Sequence, residues 1–146
     1  MKQEINPQKS NRAEAFRMWM SSPMPMVTLV KTLDISRLVK VSKKSGIKFN
    51  VLMCWRIGKA ANECKSSFLD EHMVVGTSAM IQTELDCIVN QYTNQFCNPM
   101  VMWGKYRKGM FKTTLPVSFQ FHHVQMDGGH AAKFLQRLQN AINKLK

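Results

Sequence analysis

Acidic residues are scarce in this chain. Nine aspartates and glutamates face 21 lysines and arginines among 146 residues, a formal net charge of +12. So basic a surface attracts anions, but charge alone does not choose among nucleic acid, a membrane surface and a phosphorylated cofactor. Long apolar runs are also missing. The best, Val51 to Trp55, falls far short of the roughly 18 residues that cross a bilayer. The first ten residues are polar and hold no apolar signal-peptide core, so a cytoplasmic chain is expected. The four cysteines, Cys54, Cys64, Cys87 and Cys97, form no CxxC pair and suggest no disulfide framework; they read as reduced thiols. GxGxxG, Walker and GxSxG motifs are absent, which leaves dinucleotide-binding, P-loop and α/β-hydrolase readings unsupported. Internal repeats and low-complexity segments are missing as well.

What is present is a chain of one-domain length, residues 1–146, with 45% hydrophobic residues in clear periods. The clearest lie in the last third, Phe111 to Lys146. Phe111, Leu115, Val117, Phe119 and Phe121 alternate with mostly polar positions, with Thr113 the one gap, and predict a strand with one buried face. Ala131, Phe134, Leu135, Leu138, Ile142 and Leu145 recur at steps of three and four and predict an amphipathic helix. Between them lies His122-His123-Val124-Gln125-Met126-Asp127-Gly128, with Asp127 where an N-cap belongs. Alternation sets the two imidazoles on opposite faces. His123 continues the apolar face and is expected to be the desolvated, oriented one.

Earlier in the chain, Ser10 or Asn11 can cap a short helix to Met20, with Ala15, Phe16 and Trp19 on one side. Met26 to Leu33 reads as a strand. Asp34 then caps a helix that Gly46 ends, and Val51 to Asn62 forms a third helix. Residues 64–71 have no period and read as a junction. Met73 to Ile81 and Leu85 to Tyr92 are strand-like, Pro99 to Tyr106 is a further apolar run, and Tyr106 to Lys112 is a basic turn. Helices, then strands, then a helix make an α+β or mixed α/β two-layer fold.

His122, His123, Asp127 and His130 could suggest a metal site, but their spacing matches no zinc pattern and no cysteine is near enough to complete a tetrahedral set. No metal is expected. As a purely structural alternative, His123 is a satisfied core histidine and Asp127 only a cap. The basic residues group as Lys40, Lys43, Lys44 and Lys48, then Lys105, Arg107, Lys108 and Lys112. Each group reads first as a solvated face; the second, with Tyr106 inside it, can also meet phosphates.

These residues resemble the chloramphenicol acetyltransferase family. His123-x-x-x-Asp127-Gly128 preceded by His122 is similar to its signature. The likeness continues through Asn98-Pro99, Trp103-Gly104-Lys105-Tyr106, Leu115-Pro116, Lys133-Phe134-Leu135 and Leu138-Gln139. It also takes in Arg12 and Phe16, Leu33-Asp34-Ile35 and Lys48-Phe49. A bare HxxxDG occurs in dihydrolipoamide acyltransferases and peptide-synthetase condensation domains too. The two colinear blocks make the likeness specific.

The resemblance implies a mixed sheet packed against helices and an acetyl-CoA-dependent transfer of acetyl to a hydroxyl of chloramphenicol or a similar small molecule. It implies His123 as general base and Asp127 as a structural partner of Arg12 in a buried pair. An oxyanion donor is expected on a middle strand, Ser78 with Thr77 in reserve, and the family often has threonine where Met102 stands. It further implies a homotrimer with sites between subunits. On charge, Lys105 with Tyr106 is expected to meet the phosphates of CoA. The chain departs from the family in length. The first block ends near Glu63 and the second resumes near Glu71, so a single domain with an internal deletion near 64–71 is expected. Eight extended residues reach only about 25 Å and replace no multi-element segment. A weak or inactive shortened remnant is therefore one alternative, and a basic nucleic-acid-binding domain is another.

Overall fold

The computed structural model describes residues 6–65, 74–91 and 97–145. A 3-10 turn at Pro7–Lys9 leads into α1, Ala13–Met20. There follow β1 (Met26–Asp34), α2 (Ser36–Ser45), α3 (Phe49–Lys65), β2 (Gly76–Met80), β3 (Met100–Gly104), β4 (Arg107–Lys108), β5 (Thr113–His122) and α4 (Gly128–Asn143). The sheet order is β1–β5–β3–β2, with β4 pairing the start of β5. β5 runs antiparallel to β1, from Met26 opposite His122 to Asp34 opposite Thr114, and antiparallel to β3. β2 adds parallel to β3. The mixed sheet packed with helices is the α/β architecture expected.

The period-two apolar residues of β5 build the core. Leu115, Val117, Phe119 and Phe121 are fully buried, and Phe119 stacks on Phe134 of α4 with ring centroids 4.4 Å apart. Burying side chains of this size is worth about 1.5–3 kcal/mol each. Trp103 of β3 joins them and donates its indole N–H to Asn50 Oδ1 at 3.3 Å. α2 starts where Asp34 Oδ1 accepts from both the amide (3.0 Å) and the hydroxyl (2.7 Å) of Ser36. It stops at Gly46, whose φ of 73° suits a residue without Cβ.

Several expectations change. β5 is buried on both faces, because Ser118, Gln120 and His122 are also only 2–3% exposed. Residues 85–91 cross that second face without forming a strand. The Ile88 amide donates to Ser118 Oγ at 2.8 Å. Gln120 accepts from the Asn90 amide (3.2 Å) and donates to its carbonyl (3.0 Å). Side chains thus satisfy the backbone that a ladder would otherwise pair. Phe111, assigned to the buried face, is 90% exposed ahead of β5 because the chain turns there, the Gly109 amide donating to the Lys112 carbonyl at 2.8 Å. α3 runs on through Lys65, so the expected junction begins inside a helix; its remainder, like Met73 and Tyr92, lies outside the described residues.

Candidate active site

β5 ends at His122, and a tight turn follows. The His122 carbonyl accepts from the amides of Gln125 (3.0 Å) and Met126 (3.3 Å), and its Nδ1 accepts from the Val124 amide at 3.2 Å. Buried Met126 anchors the far side. Asp127 then caps α4, accepting the His130 amide at Oδ1 over 2.9 Å, with His130 Nδ1 at 3.1 Å from the same oxygen. The amide bond from His130 is the main reason that the Asp127 carboxyl lies below its ordinary pKa; the charges of His130 and Arg12 push the same way.

Within this turn His123 is gripped from three sides. Its amide donates to the Pro25 carbonyl at 2.9 Å, and its carbonyl accepts from the Arg12 guanidinium at 3.3 Å. Its ring lies flat on the Trp19 indole, centroids 4.2 Å apart and planes 6° from parallel. Nδ1 of His123 is buried with no hydrogen-bond partner among the described residues. Trp19 is the contact that the sequence reading missed as a site residue. The available signal was its spacing: seven residues beyond Arg12, two helical turns, it shares that residue's face of α1.

Two expectations are corrected here. Arg12 and Asp127 form no direct ion pair among the described contacts. The guanidinium reaches the His123 carbonyl instead, and the carboxyl, with its side chain 48% exposed, turns toward the first amides of α4. Capping fixes that orientation. Second, the more deeply buried imidazole is His122, 3% exposed, because the second face of β5 is covered as well. Burial holds its pKa down, and the neighbouring His123 charge adds to this.

The remaining candidates lie away from the His123 turn, Ser78 at mid-strand and the basic residues at the Thr113 end. Ser78 of β2, half-buried, is in register with Met102 of β3, and Met102 with Ser118 of β5. From there His123 is roughly 17 Å farther along β5 and about 10 Å across two strand spacings. Within one chain the structure does not bring Ser78 to His123. Thr77 is exposed, with Oγ1 at 3.7 Å from Cys54 Sγ. Met102 is fully buried and offers no polar contact.

Lys105 and Tyr106 line an open cleft of about 670 Å³ together with Lys48, Phe49, Asn50, Gly104, Lys108, Ile81 and Glu84. The Phe49 and Tyr106 rings are tilted together, centroids 5.2 Å apart. Lys48 belongs to the first basic group in sequence but joins the second in space. Arg107 is turned to Asp86 (2.6 Å) and Glu84 (3.6 Å). The cleft can therefore receive an anion with a flat ring beside it. Among the described residues no helix is long and apolar enough to cross a membrane, and no three His, Cys, Asp or Glu side chains are grouped to hold a metal.

The mixed sheet packed with helices matches the fold of solved acetyltransferases. A solved chloramphenicol acetyltransferase superposes with a TM-score of 0.81 at 15% identity, over 97% of this chain and 98% of that one. A dihydrolipoamide acetyltransferase of Azotobacter vinelandii superposes at 0.57, also at 15% identity, over 99% and 92%. These likenesses establish the fold. The sequence profile of chloramphenicol acetyltransferase matches residues 63–139, and the chain belongs to that family. It is 41% identical over 59 residues to chloramphenicol acetyltransferase 3 of Escherichia coli, which is 40% of this chain and 27% of that protein. With the Campylobacter coli chloramphenicol acetyltransferase it shares 41% over 46 residues, 32% and 22% of the two chains. The matches thus span about a quarter of these relatives' length.

Proposed function

We propose that this chain is an acetyl-CoA-dependent O-acetyltransferase acting on a hydroxyl of chloramphenicol or a similar small molecule, with His123 as general base. One observation carries the reading: in a member of this family, His123 is fixed at the end of β5 by its two backbone bonds and by the face of Trp19. An alcohol is a poor nucleophile until its proton has a destination, and imidazole titrates near neutral pH. With Nδ1 enclosed, exchange with the acceptor falls to Nε2. The freed oxygen attacks the thioester carbonyl. The Ser78 hydroxyl, with Thr77 in reserve, donates to the oxyanion that forms. Collapse expels the CoA thiolate, which recovers the proton from His123. Arg12 and Asp127 position the turn: Arg12 holds the His123 carbonyl, and Asp127 starts α4.

Lys105, Tyr106, Lys48 and Lys108 would take the phosphates and adenine ring of CoA. Val117, opposite Trp103 at the cleft end, is roughly 17 Å along β5 from its histidine end. Since Ser78 and the cleft lie away from His123 in one chain, the complete site is shared between copies, in line with a homotrimer. The same separation favours a second reading, an inactive remnant shortened near 64–71.

Thiol release from acetyl-CoA, with and without chloramphenicol, separates the two. Acceptor-dependent turnover that falls by about 10²–10⁴-fold in His123→Ala supports the base. No turnover from a folded native sample leaves the remnant.

A further inference from the structure

His122 has no part in the chemistry above, yet it is the most enclosed titratable group in the turn. Three hydrogen bonds of the turn end on this residue: two at its carbonyl, from Gln125 and Met126, and one at Nδ1, from Val124. The last sets the protonation of the ring. An Nδ1 that accepts an amide hydrogen must be bare, so the neutral ring carries its proton on Nε2.

We propose that His122 is the positioning residue for His123, its neutral Nε2–H ring clamping the turn through the Val124 amide, and that proton uptake by His122 opens this clamp. The inference rests on His123 acting as the base. Protonated Nδ1 becomes a donor pointed at another donor, and the bond to Val124 is lost. His123 lies between the two clamped residues and shifts with them. Among the described residues, the charge of His123 works against a protonated His122, and Arg12 stands at the His123 carbonyl. Opposite it on β1 stands uncharged Met26. On the strap, Asp86 is occupied by Arg107, and Ile88, Val89 and Asn90 carry no charge. In the turn, Asp127 is engaged by His130. Burial disfavours the charged ring, so the clamp is closed at neutral pH and opens on acidification.

Two measurements test this. In the 15N-labelled full chain, histidine-ring spectra should show His122 with bare Nδ1 at neutral pH, and its titration should move the Val124 amide at the same midpoint. An Nδ1–H tautomer, or titration that leaves Val124 unmoved, overturns the proposal. This arm needs no turnover, so it is read even if the chain proves inactive. In the second arm, Asn at 122 places an oxygen where Nδ1 stands but does not titrate, whereas Leu removes the acceptor. His122→Asn should keep kcat within about threefold and lose the acid-side inflection contributed by His122. His122→Leu should lower kcat by about 100-fold with KM for acetyl-CoA little changed, as expected when a reacting group is misplaced by about an ångström. Equal kcat in the two variants, or an unchanged acid limb in His122→Asn, contradicts the clamp.

Discussion

The two ends of β5 differ in kind. At the His122 end, backbone bonds, a stacked indole and a helix cap confine one imidazole. At the Thr113 end, Lys48, Lys105 and Lys108 surround an open cleft with two aromatic rings and no histidine. One end can move a proton and the other can hold an anion. Neither suffices for acyl transfer, and the strand between them is buried on both faces. On the function proposed above, a chain arranged in this way would supply each half of a site to a different neighbour.

The comparison is broken most completely by removing what joins the two ends. Phe119→Ala should cost about 3–5 kcal/mol in chemical denaturation, whereas Phe111→Ala, at the exposed hairpin, should stay within about 0.5 kcal/mol. Gln120→Leu tests the strap on the second face. It strands the amide and carbonyl of Asn90, so a loss of about 1–3 kcal/mol is expected, with faster hydrogen exchange at Asn90.

At the cleft end, Lys105→Glu should raise KM for acetyl-CoA about tenfold, equivalent to about 1.4 kcal/mol, with kcat and melting temperature held. A lowered kcat at unchanged KM would move Lys105 out of the coenzyme site.

The smallest effect lies at the cap. Asp127→Ala should cost about 1 kcal/mol and Asp127→Asn only a few tenths, since asparagine caps equally well. The Asp127 pKa is lowered on folding, so its contribution is complete above the unfolded value and is lost as pH falls from about 4 through the folded value. Asp127→Asn should remove that part of the acid dependence. His122 has the same sign, because its folded pKa is also lowered: its contribution holds above about pH 6.5 and fades as pH falls.

Much of this fold could be read from residue periods. The alternation along β5, the three-four spacing of α4, the Asp127 cap and the Gly46 stop are local signals, and local geometry expresses them directly. The burial of Ser118, Gln120 and His122 was not readable, because polar residues on alternate positions signal a solvated face. Ser118 and Gln120 are buried under a distant strap that uses them as hydrogen-bond partners, and His122 pairs instead with the Val124 amide of its own turn. The same ambiguity made His123 look the more desolvated histidine. Lys48 joined Lys105 for a similar reason: 57 residues separate them in sequence, and only α3 packing beside β3 brings them together. Trp19 was visible as part of a helix face, but nothing in α1 says which ring that face will meet.

The central claim is that the two ends of β5 form one site across copies of the chain. It is tested most directly by mixing two disabled chains. His123→Ala lacks the base and Ser78→Ala the oxyanion donor, so each alone should release thiol from acetyl-CoA at about 10²-fold below the native rate or slower. Denatured together in equal amounts and refolded, they should regain up to about a quarter of native turnover, the share of sites that draws an intact residue from each neighbour in a ring. A mixture as inactive as its components, alongside an active native control, would contradict the shared site.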